Sequence, residues 1–239
     1  MLEVLKKQFT VQWKDWMGMT LVPLGAWILG LGLHYMVVRL DSTVTSYFPA
    51  GTGMAVLAAG LCTVIMGIVQ LGIYFNMEVS MGCTRLRFFV SYYVVSFVFS
   101  ACYIGIILLL NIAERVLEKR LYPNLSCEID FLPYLLKGGI LAAAAVCLVS
   151  GFCGVLILRY GRKAFWVLWA VWMICTIGLP RIHEAMEEAP NSLFGWIGNK
   201  IGFLFSGFTA NEVIGIAAAV SLLSLAGAWL YLRKQQVMS

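Results

Sequence analysis

Six apolar runs follow one another along this chain, separated by short polar segments, and no fold of a water-soluble domain has a use for that pattern. They are Met17–Val38, Gly51–Phe75, Phe89–Ile112, Leu132–Leu158, Ala164–Leu179 and Val213–Leu232. A helix needs about 20 mainly apolar residues to cross a bilayer, so each run is read as one span, the fifth being the shortest. Together with their connections they consume nearly all of the 239 residues. The expected architecture is an all-α membrane protein, one transmembrane domain over residues 1–239 with no folded soluble domain beside it. Composition agrees: 61% of the residues are hydrophobic and 12% charged, against roughly 45–50% and 25% in soluble domains.

Ahead of the first run, Leu2, Leu5, Phe9, Trp13 and Trp16 recur at helical spacing, with Glu3, Lys6, Lys7, Thr10 and Lys14 on the other face. A lysine-bearing amphipathic helix of this kind is expected to lie in the membrane interface over residues 1–16. The segment is too polar and too long before the first run to read as a secretory leader. Between the fifth and sixth runs, Leu193–Phe208 is apolar but interrupted by glycines, asparagine and lysine. It is expected to re-enter the membrane within 191–208 or to lie on its outer surface.

Lysine and arginine favour cytoplasmic loops. With the N-terminus inside, ten of the 17 basic residues fall on the inner side, Arg85, Arg87, Arg159, Arg162 and Lys163 among them, and the two longest outer loops hold most of the acidic ones. The expected location is the cell membrane with both termini cytoplasmic. The basic residues gather at span ends and form no stripe along which a phosphate backbone could lie, so nucleic acid is not an expected partner.

Chemistry is sparse. The seven cysteines show no CxxC pair, which excludes the usual zinc spacing. No Gly-x-x-x-x-Gly-Lys-Ser/Thr loop is present, so ATP cannot be held in the P-loop manner by this chain. The runs themselves hold almost no ionisable residues, which argues against ion-coupled transport. The cluster His183, Glu184, Glu187 and Glu188 reads as a solvated acidic helix. Gln70 and Asn111 read first as interhelical hydrogen-bonding groups, with substrate contact as the lesser reading for both.

The loop after the second run carries Ser80-Met81-Gly82-x-Thr84-Arg85-x-x-Phe88-Phe89. This segment resembles a pattern of the small permease subunits of type-2 ABC exporters, and the layout of the whole chain is similar to theirs. The resemblance implies a coupling helix over Asn76–Phe88, a second cytoplasmic contact at Arg159–Lys163, and a re-entrant segment before the last span. It also implies a dimer with a second permease chain, the same or a related one, and a separate ABC ATPase subunit that holds ATP and magnesium. This chain would then carry no cofactor and no catalytic residue. Glu78, Ser80, Met81, Gly82, Thr84, Arg85 and Arg87 are the expected ATPase-coupling residues. Gln70, Trp166, Trp169 and Trp172 are candidates to line a path for hydrophobic or amphipathic substrates, peptides of the export or immunity kind included. Two other readings stay open: a non-transporting membrane protein (immunity, sensor or chaperone) and an uncoupled small channel.

Overall fold

The fold is taken from a computed structural model, which describes residues 2–40, 46–80, 82–123, 126–127, 129–174 and 210–234. The elements are α1 (Leu2–Leu40), β1 (Ser46–Tyr47), α2 (Ala50–Ser80), α3 (Arg85–Leu121), β2 (Ser126–Cys127), α4 (Phe131–Tyr160), α5 (Arg162–Met173) and α6 (Ala210–Leu232). Five of these helices, α5 excepted, are long and apolar enough to cross a bilayer. The fifth expected span is described only as far as Ile174; its remainder, the 191–208 segment and the His183–Glu188 cluster lie outside the described residues.

The physical reason for the bundle is clearest in α2. Its inward stripe, Thr52, Ala55, Ala59, Cys62, Thr63, Gly67, Gln70 and Glu78, is small or polar, although Met66, Leu71, Tyr74 and Phe75 share it. Its outward face reads Leu57, Leu61, Ile65, Val69, Ile73 and Met77, all exposed. A face of aliphatic residues turned outward over this length is unstable in water and at home in hydrocarbon. Small inward residues let backbones approach. At Gly30 of α1 an added Cβ would lie 2.6 Å from the Ala50 carbonyl oxygen and from Gly51 Cα, so α1 crosses the start of α2 backbone to backbone.

Two clusters fill the interior. Trp16, Ala59, Cys62, Met66, Val95, Phe99, Tyr103 and Ile107 join α1, α2 and α3. Leu71, Tyr74, Phe75, Phe88, Tyr92, Val155, Ala228 and Leu232 join α2, α3, α4 and α6. Pro23 is buried within α1 and has no N–H to give the Met19 carbonyl one turn back. The Cys62 thiol approaches that carbonyl instead, at 3.9 Å.

Residues 2–16 depart from the expected separate element. They are continuous with the first span in one helix of 39 residues, about 58 Å long at 1.5 Å per residue. They also run antiparallel along α2, because their polar residues have partners there. Gln8 Nε2 donates to Glu78 Oε2 (3.0 Å), Trp16 Nε1 to Gln70 Oε1 (3.2 Å) and Tyr74 Oη to Asp15 Oδ2 (2.7 Å). Gln8 and Gln12, which the amphipathic reading left out of account, are fully buried.

Candidate functional site

One end of the bundle is built around the α2–α3 connection. α2 closes with the Gly82 N–H on the Val79 carbonyl (3.1 Å) and the Cys83 N–H on the Glu78 carbonyl (3.0 Å). This paired closure needs a left-handed residue at its turn, and Gly82 supplies it with φ +86°. Thr84 then caps α3, its hydroxyl accepting from the Arg87 N–H at 3.4 Å. The coupling helix expected over Asn76–Phe88 is therefore not a separate element. Asn76–Ser80 are the last residues of α2, Arg85–Phe88 the first of α3, and a tight link joins them.

The expected coupling residues divide. Ser80, Gly82, Thr84 and Arg87 are exposed. Glu78 is turned inward, 7% exposed, and bound to Gln8. Arg85 is half-buried and donates from Nη1 to the Arg233 carbonyl at 2.6 Å, closing the C-terminal end of α6. Met81 lies outside the described residues. The Cys83 thiol is pushed up by burial and then by the Glu78 carboxylate, while the Arg87 guanidinium pulls it down. Because the thiolate is the reactive form, alkylation of Cys83 is expected to quicken steadily as pH rises above neutral. Arg87→Glu should slow it at any fixed pH, which a maleimide time course would read; an unchanged rate would show that Arg87 does not face the thiol.

The other proposed site residues are dispersed. Gln70 is 1% exposed and occupied by Trp16. Trp166, Trp169 and Trp172 are all about half exposed along α5, with the first two in an edge-to-face contact at 5.7 Å. Gln70 and the tryptophans therefore do not line one path among the described residues.

Sequence reasoning missed the polar cluster at the opposite end. Glu114 and Glu118, read as loop residues, belong to α3 and are 0% and 2% exposed. Both lie just beyond the third apolar run, which ends at Ile112, in the continuation of the same helix. Glu114 receives the Gly51 N–H (2.9 Å), the Thr52 N–H (2.6 Å) and the Thr52 hydroxyl (2.5 Å), while Asn111 Nδ2 donates to the same hydroxyl (3.2 Å). A carboxylate thus caps the start of α2, where the first amides of a helix need acceptors and the dipole favours negative charge. Glu118 Oε1 lies 3.9 Å from His34 Nε2, and Tyr47 and Tyr122 place their rings against the same imidazole. Burial and the neighbouring Glu118 push the Tyr47 hydroxyl up, so it stays protonated. β1 and β2 pair in parallel beside this cluster, Tyr47 opposite Cys127. The signal was present in the sequence: Asn111, Glu114 and Glu118 continue the inward series Val95, Phe99, Tyr103 and Ile107 at steps of three and four.

Chemically this cluster clamps helices together. Among the described residues no group of three or more His, Cys, Asp or Glu side chains could hold a metal. Neither protein-family models, nor curated proteins, nor solved structures give a match to the chain.

Proposed function

We propose that this chain is the membrane-spanning permease subunit of an ATP-driven ABC exporter. In this reading it crosses the cell membrane with the α2–α3 connection, the start of α1, the α4–α5 turn and the end of α6 on the cytoplasmic side. A separate ATPase subunit, which holds ATP and magnesium, docks at Gly82–Arg87, and a second permease chain completes the transporter. The substrates are hydrophobic or amphipathic compounds, peptides among them, for which the exposed tryptophans of α5 offer broad contact surface.

The observation that carries the reading is the placing of two arginines in the first turn of α3. Cations are disfavoured at a helix N-terminus by the dipole. Arg85 offsets this by bonding the α6 carbonyl, whereas Arg87 stays exposed, a cost that an acidic docking partner would repay. The same connection is tied to α1 through Glu78 and Gln8 and to α6 through Arg85 and Arg233, so a displacement imposed there reaches four helices together. A rigid-body switch driven by ATP needs such a lever.

Co-purification of the tagged chain from its native membrane in mild detergent tests this. A P-loop ATPase is expected with the original chain and is expected to be lost with Arg87→Glu, and with Arg85→Glu plus Arg87→Glu. Absence of any ATPase with the original chain, or its full retention by Arg87→Glu, contradicts the reading.

A further inference from the structure

α4 and α6 run parallel but do not stay equally close. Near the α2–α3 connection Val155, Ala228 and Leu232 are buried, and a Cβ added at Gly227 would lie 2.9 Å from the Phe152 ring. Towards the other end the helices part, and α6 is exposed from Ile214 to Val220. The space between them is an open groove of about 810 Å³, walled by Leu141, Ala145 and Leu148 of α4 and by Ile214, Ala218 and Leu222 of α6. That volume falls within the range of small-molecule sites, about 300–1,000 Å³.

Two features say what would fill it. The first is charge: among the described residues Lys137 is the single charged one in the lining, near the wide end beside Tyr134, and it has no ion pair with any of them. The second is length. From Lys137 to Leu148 the groove follows α4 for about 16 Å at 1.5 Å per residue, close to the depth of one leaflet, half of a hydrocarbon core of about 30 Å.

We propose that the groove is a binding site for one anionic phospholipid of the leaflet at the N-terminal end of α4. An acyl chain lies between α4 and α6 down to Leu148, and the phosphate meets the Lys137 ammonium. The apolar walls accept the tail of any phospholipid; the lone ammonium prefers a headgroup with net negative charge, at about 1 kcal/mol per basic residue near a membrane surface. This inference rests on the chain spanning a bilayer and is independent of ATP-driven export.

The test is thermal unfolding of the delipidated full chain in detergent, titrated with dioleoylphosphatidylglycerol or dioleoylphosphatidylcholine. Phosphatidylglycerol is expected to protect at roughly fivefold lower concentration, the ratio that 1 kcal/mol gives. Lys137→Gln should abolish that preference and Lys137→Arg keep it, while Ala145→Trp, which fills the groove, should remove protection by both lipids. Equal protection of the original chain by the two lipids, or a preference that survives Lys137→Gln, overturns the proposal. So does a specific cross-link between two copies through Ala142→Cys, since the groove would then belong to a second chain.

Discussion

Glu114→Ala is expected to be the most damaging single substitution in this bundle, costing about 3–5 kcal/mol of stability, since three buried donors lose their acceptor at about 1–3 kcal/mol each and part of that is recovered by relaxation. The carboxylate has no exposure and accepts two backbone amides and a hydroxyl from Gly51 and Thr52. Alanine leaves all three donors without their acceptor. Hydrogen bonds to a charged group contribute about 1.5–3 kcal/mol each, so even partial relaxation leaves a large deficit. The thermal midpoint in detergent should fall by roughly 6–20 °C at about 2–4 °C per kcal/mol. Glu114→Gln keeps one acceptor oxygen and should fall between. Glu118→Gln should cost much less, because the Glu118 carboxylate takes no part in holding the start of α2. A midpoint unchanged by Glu114→Ala would mean that α2 is anchored in some other way.

The second large effect is a contrast in sign between two glycines one half-turn apart in α1. Gly30→Ala would set a methyl group 2.6 Å from the Ala50 carbonyl oxygen and Gly51 Cα. Those are backbone atoms, and Gly51 is itself pinned by Glu114, so α1 must move away; overpacking of this kind costs about 1–3 kcal/mol and occasionally more. At Gly32 nothing lies within 4 Å of the same added atom. Gly32→Ala is therefore expected to be neutral or to stabilise by up to about 1 kcal/mol, the propensity difference within a helix. Thermal midpoints of the two variants, measured side by side, should move in opposite directions or differ by several degrees. Equal effects would show that α1 and α2 do not cross at Gly30.

Which parts of this were legible beforehand follows from what hydropathy can and cannot see. The cores of α2, α3, α4 and α6 are continuous apolar runs, so their existence and order were readable. Their ends were not. α3 continues through Arg115, Lys119 and Arg120, and those charges on its outer face masked the inward series Asn111, Glu114 and Glu118, so a buried clamp was taken for a loop. At α1 the lysines and tryptophans read as an interfacial helix; that stretch continues into the first span as one helix, and Gln8 and Trp16 bond α2. At α3 the cause is that Asn111, Glu114 and Glu118 are buried on the inward face, so charge there ceases to mark a loop.

Within the α2–α3 connection, Gly82 and Thr84 are residues that a closing turn and an N-cap demand, and that much could be read locally. The direction of Glu78 could not. It points inward because it lies four and eight residues beyond Tyr74 and Gln70, on a stripe already committed to α1, and only the partner Gln8 makes that visible. The exposed remainder, Ser80, Gly82, Thr84 and Arg87, is the surface on which the proposed docking rests.

The most direct measurement is the sidedness of the two ends of the bundle, using thiol labels that do not cross membranes. In a chain stripped of its other cysteines, Ser80→Cys at the end of α2 should react only from the cytoplasmic face of sealed vesicles. The native Cys127 beside β1, also kept alone, should react only from the opposite face. That outcome places the α2–α3 connection within reach of an ATPase and the Glu114 clamp on the far side. Labelling of both positions from one face would contradict a spanning bundle, and labelling with the faces reversed would leave the membrane reading standing while putting the connection beyond the reach of ATP.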